Sequence, residues 1–86
     1  MPEITIYTTE LCPYCRRAKA LLEQKGAAYH EIDVTYDPGM RATMAQRAGG
    51  IRTVPQIFIG STHVGGCDEI YALEAKGGLD PLLARA

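Results

Sequence analysis

Cys12-Pro13-Tyr14-Cys15 is the segment of this chain whose residue types can do chemistry. A thiolate is a nucleophile toward sulfur, and a second thiol two residues further on can close a ring with it, so the pair suits thiol-disulfide exchange. The position of the motif matters more than its spelling. Glu3-Ile4-Thr5-Ile6-Tyr7-Thr8 alternates with period two and is rich in β-branched residues, which predicts a strand ending just before the motif. From Pro13 to Lys25, Cys15, Ala18, Leu21 and Leu22 recur at helical spacing, with Arg16, Arg17, Lys19, Glu23 and Gln24 on the other side. Pro13 suits the first helical turn and Gly26 the stop. Cys12 therefore lies at the mouth of a helix, where unpaired backbone N–H groups and the positive dipole end favour an anion. Cys15 lies one turn inside, without the same help.

The dipole alone is not enough. Taking a thiol from a pKa of about 8.5 to about 5 means roughly 5 kcal/mol of added stabilisation for the thiolate, at ~1.4 kcal/mol per unit. A helix terminus supplies about 0.3–2 kcal/mol. Direct N–H to sulfur hydrogen bonds and a nearby cation must supply the rest, and Arg16, four residues after Cys12, is the cation on the same helical face. The competing reading is a structural zinc site of Cys12, Cys15, His63 and Cys67. The ligand types permit it, but His63 and Cys67 would have to close a tetrahedron from a hairpin strand. A first pair in a zinc knuckle would also not normally open a long amphipathic helix, so redox chemistry with no metal is the expectation.

Several elements must hold this junction. Ala28 to Val34 reads as a second strand, and strand, helix and strand within about 30 residues make a right-handed βαβ unit with parallel strands. Asp37-Pro38-Gly39 opens a second helix, roughly Met40 to Ala48, ended by Gly49-Gly50. Gln56 to Ile59 is a strongly apolar third strand, and Gly60-Ser61-Thr62 turns it into a short antiparallel fourth at His63 to Gly65. Asp68 to Ala75 forms a helix before Gly77-Gly78, and Asp80-Pro81 caps a last short one reaching the C-terminus. The expected fold is α/β, a mixed four-stranded sheet with helices on both faces, in a single domain over residues 1–86.

Composition narrows the possible functions. Nine Lys and Arg against ten Asp and Glu give a formal charge of -1, so no whole-chain field draws the protein to nucleic acid or to an anionic membrane. Met1 to Thr9 lacks the basic start and apolar run of a signal peptide, and no stretch is long enough to span a bilayer. A cytoplasmic protein is the default. Three cysteines, an odd number, suit reaction better than the stapling of a small secreted scaffold.

Three segments carry a family likeness. Thr8 to Cys15, then Arg52-Thr53-Val54-Pro55-Gln56-Ile57-Phe58-Ile59, then Gly65-Gly66-Cys67-Asp68, resemble the signature segments of glutaredoxins in the same order. Tyr71-Ala72-Leu73 and Gly77-Gly78-Leu79-Asp80-Pro81-Leu82-Leu83 look like the small bacterial dithiol members. The resemblance implies a thioredoxin-like fold, glutathione as reducing cosubstrate with no tightly bound cofactor, and disulfides or glutathione-protein mixed disulfides as substrates of a monomer. It implies Cys12 as nucleophile and Cys15 as resolving thiol. It implies a cis bond before Pro55, which by itself reads as a proline at the start of a strand. Thr53 and Val54 would then line the glutathione site, with the Val54 backbone paired to the cysteinyl unit. Gly66, Cys67 and Asp68 would hold the γ-glutamyl end, its carboxylate on backbone N–H groups and its ammonium on Asp68; without the likeness, Asp68 is an ordinary acidic residue at a helix start. Tyr14 would flank the sulfur, and Cys67 reads as a small buried residue. Many members carry Lys where this chain has Thr9, and Arg41 is read as the replacement cation, ahead of Arg52 and Arg16. His30 and His63 fit no site pattern.

Two other functions remain in view. A glutathione-ligated iron-sulfur carrier commonly lacks Pro13 and Cys15. A thioredoxin would carry tryptophan before the motif and would not carry Gly65-Gly66-Cys67-Asp68.

Overall fold

The structure is a computed structural model and describes residues 2–84. Its elements, in chain order, are β1 (Ile4–Thr8), α1 (Pro13–Gln24), β2 (His30–Asp33), α2 (Pro38–Arg47), β3 (Gln56–Ile59), β4 (Thr62–Gly65), α3 (Cys67–Ala75) and α4 (Leu79–Leu83). The strands form one sheet in the order β2-β1-β3-β4. β1 pairs with β2 in parallel, Thr5 opposite His30, as a βαβ unit requires. β3 runs antiparallel to both β1 and β4. The mixed four-stranded sheet is the expected one.

The period-two pattern of β1 separates two cores. Ile4 and Ile6 join Ile57 and Ile59 beneath Ala18, Leu21 and Leu22 of α1, Ile70 of α3, and Leu79, Leu82 and Leu83 of α4. Tyr7 and Phe58 face the other way, toward Met44 of α2, with Ala48 and Val34 closing that side. Helices thus cover both faces, α1, α3 and α4 on one and α2 on the other. The predicted apolar stripe of α1, Cys15, Ala18, Leu21 and Leu22, is its buried set.

Helix α1 ends by a glycine closure. Gly26 adopts φ 68, and the Ala27 N–H then reaches back to the Leu22 carbonyl at 3.0 Å. Lys25 beside it bridges to Glu74 of α3 at 2.6 Å and Asp80 of α4 at 2.9 Å, fastening the three helices on this face.

Several boundaries differ from expectation, among them α3, which begins at Cys67 and not Asp68, and β4, which begins at Thr62 and not His63. α2 begins at Pro38, because the Asp37 side chain accepts from the Met40 N–H at 2.9 Å and so caps the helix ahead of the proline. β2 covers only His30–Asp33 of the expected Ala28–Val34, since it is an edge strand and its ladder ends with β1 at Thr8. α4 is capped by Gly78, and Asp80 and Pro81 lie inside its first turn, where a missing N–H costs no helical bond. The predicted extension of α4 to the C-terminus falls on Arg85 and Ala86, outside the described residues. No helix among the described residues is long and apolar enough to cross a membrane.

Candidate active site

The reactive pair sits where β1 hands over to α1. The intervening loop is tied to the far end of β2: the Glu10 N–H donates to Thr35 Oγ1 at 2.8 Å, and the Thr35 N–H donates to Asp33 Oδ1 at 2.8 Å. Cys12 is the N-cap of α1, in extended backbone conformation, with Pro13 as the first helical residue. Its Sγ accepts the Cys15 N–H at 3.1 Å, one of the otherwise unpaired donors of the first turn. Cys12 and Cys15 are joined as a disulfide with their Cα atoms 5.2 Å apart. Cys12 is 8% exposed and Cys15 1%, so the N-terminal sulfur has more access to solvent. Arg16, the expected cation, is exposed and donates no hydrogen bond to the Cys12 sulfur; the direct contact comes from backbone.

The loop before β3 comes over the same sulfur. The Val54-Pro55 bond is cis, as the family likeness implied, and the Val54 carbonyl oxygen lies 3.8 Å from Cys12 Sγ. A groove of ≈170 Å³ opens beside the pair. One side is Tyr14, Thr53, Val54 and Pro55; the other is Gly66, Cys67, Asp68 and Glu69. Every predicted glutathione-site residue except Arg41 therefore meets in one place.

Arg41 does not line the groove. Its guanidinium donates through Nη2 and Nε to the Arg52 carbonyl, at 3.0 and 3.3 Å, fastening α2 to the loop that carries Thr53 and Val54.

On the far side, α3 starts at the edge of the groove. Its first-turn N–H groups at Cys67 and Asp68 have no intrahelical partner, which makes this end receptive to an anion. Gly65 and Gly66 bring the chain there through a narrow passage. A Cβ on Gly65 would come within 2.8 Å of Glu69 Cγ, and one on Gly66 within 3.2 Å of the Pro55 carbonyl oxygen. Glu69 is the residue that sequence reasoning missed: its Oε1 accepts the Gly66 N–H at 2.6 Å. An acidic side chain three places into a helix is the signal that would have found it. Burial pushes the Cys67 thiol above its ordinary range, partly opposed by the nearby Arg17, with Asp68 and Glu69 adding to the rise. That environment suits the small buried role read for Cys67.

The zinc set is not assembled. His63 Nε2 is engaged with Gln56 Oε1 at 2.7 Å, and among the described residues no group of three or more His, Cys, Asp or Glu side chains could hold a metal ion.

Comparison with known proteins agrees with the geometry. The family model described as Glutaredoxin matches residues 4–64. Glutaredoxin 3 of Escherichia coli (strain K12) is 54% identical over 83 residues, covering 96% of this chain and 99% of its own length. The solution structure of glutaredoxin from Brucella melitensis superposes with a TM-score of 0.85 at 59% identity, covering 96% of this chain and 89% of that one. The crystal structure of a buckwheat glutaredoxin-glutathione complex gives a TM-score of 0.86 at 35% identity, over 95% of this chain and 76% of that one. A CxxC disulfide at a strand-to-helix junction, a cis-proline loop across it and a family match over most of the length lead to one conclusion: this chain belongs to the glutaredoxin family of glutathione-dependent thiol-disulfide oxidoreductases.

Proposed function

We propose that Cys12 is the attacking thiolate and Cys15 the resolving thiol, and that the groove beside them binds glutathione. In the monothiol route, Cys12 Sγ attacks the glutathione sulfur of a mixed disulfide. The enzyme-glutathione disulfide forms, and the substrate leaves as a thiolate that takes a proton from solvent. A second glutathione thiolate then attacks the bound glutathione sulfur, releasing glutathione disulfide and restoring the Cys12 thiolate. In the dithiol route, Cys12 forms a mixed disulfide with a protein substrate, and Cys15 attacks Cys12 Sγ to free it. The closed Cys12–Cys15 pair is the product of that second step, and two glutathiones reduce it again.

Within the groove, the Val54 backbone pairs with the cysteinyl unit, and Thr53 and Pro55 shape that wall. The γ-glutamyl carboxylate takes the Cys67 and Asp68 N–H groups, while Gly66 stays bound to Glu69. The Asp68 carboxylate meets the ligand's ammonium, and Tyr14 flanks the sulfur. Arg41, fixed on the Arg52 carbonyl, supplies positive charge on the side where the glycyl carboxylate lies. The protein works as a cytoplasmic monomer, a single domain with no tightly bound cofactor, on glutathionylated and disulfide-containing proteins.

The observation that carries this reading is the convergence of Tyr14, Val54, Pro55, Gly66, Cys67 and Asp68 on one groove next to Cys12. Titration of the Cys15→Ser variant with glutathione disulfide, followed by mass, tests it. A stable glutathione adduct confined to Cys12 is expected, whereas an adduct on Cys67 or none at all refutes the assignment.

A further inference from the structure

The wall of the groove formed by Thr53 and Val54 is held by side chains outside it. Gln56, the first residue of β3, is 2% exposed, and its amide makes polar contacts at both ends. Nε2 donates to the Thr53 carbonyl at 3.0 Å and is 3.3 Å from Thr53 Oγ1. Oε1, which can only accept, lies 2.7 Å from His63 Nε2. The His63 ring must therefore carry its proton on Nε2. It is also fixed in plane, stacked on Phe58 with centroids 4.9 Å apart and planes 23° from parallel. Phe58 is covered in turn by the Arg47 guanidinium, 4.2 Å above its ring.

The regular register of the hairpin makes the contact, and a bulge just beyond it redirects the chain. Phe58 pairs with His63 while Ile57 pairs with Gly65, so β4 carries one extra residue, Val64, between them. His63 stays on the face of Phe58 and Gln56, and the chain beyond the bulge is redirected into Gly65-Gly66 and the start of α3. Both walls of the groove thus leave the same hairpin.

We infer that His63 is a positioning residue for the glutathione groove, acting through Gln56 to fix the Thr53 backbone that presents Val54 to the ligand. The inference rests on the reading of this groove as the glutathione site. Without the His63 donor, Gln56 Oε1 is buried and unpaired, and the amide is free to turn away from Thr53.

The test compares wild type, His63→Leu and His63→Gln with a glutathionylated peptide as substrate. Alkylation of Cys12 by a small neutral reagent is measured alongside. Loss of one buried hydrogen bond at the ligand wall predicts a rise in KM of about three- to tenfold for His63→Leu, with kcat and the alkylation rate unchanged. His63→Gln, whose amide can still donate to Gln56, restores KM. An unchanged KM in a folded His63→Leu protein overturns the inference, as does a parallel loss of KM, kcat and alkylation rate, which marks a merely structural role. If His63→Leu does not fold, the ring nitrogens of wild-type His63 decide by NMR: a proton on Nε2 is expected, and a proton on Nδ1 alone overturns the inference. Failure of the groove reading looks different, because wild type itself would then show no saturation with the glutathionyl peptide.

Discussion

Replacing Cys15 by serine separates the two routes assigned to this site. The change leaves the backbone in place, and with it the Cys15 N–H that reaches Cys12 Sγ at 3.1 Å. It removes the thiol that sits one helical turn away, at a Cα separation of 5.2 Å, within ring-closing range. A well-oriented intramolecular nucleophile has an effective concentration of up to about 10⁵ M or more, which millimolar glutathione cannot replace, so dithiol turnover on a protein disulfide should fall at least ~100-fold. Deglutathionylation needs only Cys12 and free glutathione, and should stay within about threefold of wild type. Because Cys15 is 1% exposed, the new hydroxyl is buried, at a stability cost of about 1–3 kcal/mol. That cost lowers Tm by roughly 4–8 °C per kcal/mol in a domain of this size, so both assays belong near 25 °C with folding checked by circular dichroism. Cys12→Ser should abolish both activities. Equal losses in the two variants, in folded protein, would refute the division of roles.

Other outcomes follow from the same contacts. Gly65→Ala forces a side chain onto a backbone at φ 113 and into Glu69 Cγ at 2.8 Å, so a loss of about 1–3 kcal/mol is expected in urea unfolding. Burial works against the Glu31 carboxylate, but the Thr8 hydroxyl at 2.7 Å and the Lys19 ammonium at 3.0 Å outweigh it and hold the group below its ordinary 4.5. Its stabilisation is therefore present above that value and lost as pH falls through the lower folded one. The gap in urea midpoint between wild type and Lys19→Met should be open at neutral pH and close in acid; a gap constant with pH would contradict the pairing. In the reduced protein, Cys67, buried and with its thiol pushed up by burial, should react with iodoacetamide more slowly than Cys12.

Local pattern and tertiary contact divide what could be read from the chain. The alternation of Ile4, Ile6 and Tyr7, the stripe of α1 and the parallel pairing of β1 and β2 follow from spacing alone, since each is fixed by neighbours within one βαβ unit. The start of α4 was misplaced because Gly78 caps without a side chain, while Asp80 and Pro81 look like a boundary. The cis bond at Pro55 came from family likeness, since proline at the start of a strand has the same spelling. Gln56 and His63 do not show as a pair in the sequence because their contact runs diagonally across the hairpin between residues of no motif, and Glu69 looks like any acid in a first helical turn. Arg41 lies outside the groove lining, and its contact, the Arg52 carbonyl, is a backbone atom that composition does not reveal.

Everything assigned to this site depends on the Cys12 sulfur being ionised near neutral pH, sustained by the Cys15 N–H and the open first turn of α1. The direct test is the rate of Cys12 alkylation by iodoacetamide against pH, in reduced Cys15→Ser protein. The rate should already be near its plateau at about pH 6–7. A rate that is negligible there and rises only with a midpoint of about 8.5, as for a free thiol, would contradict it.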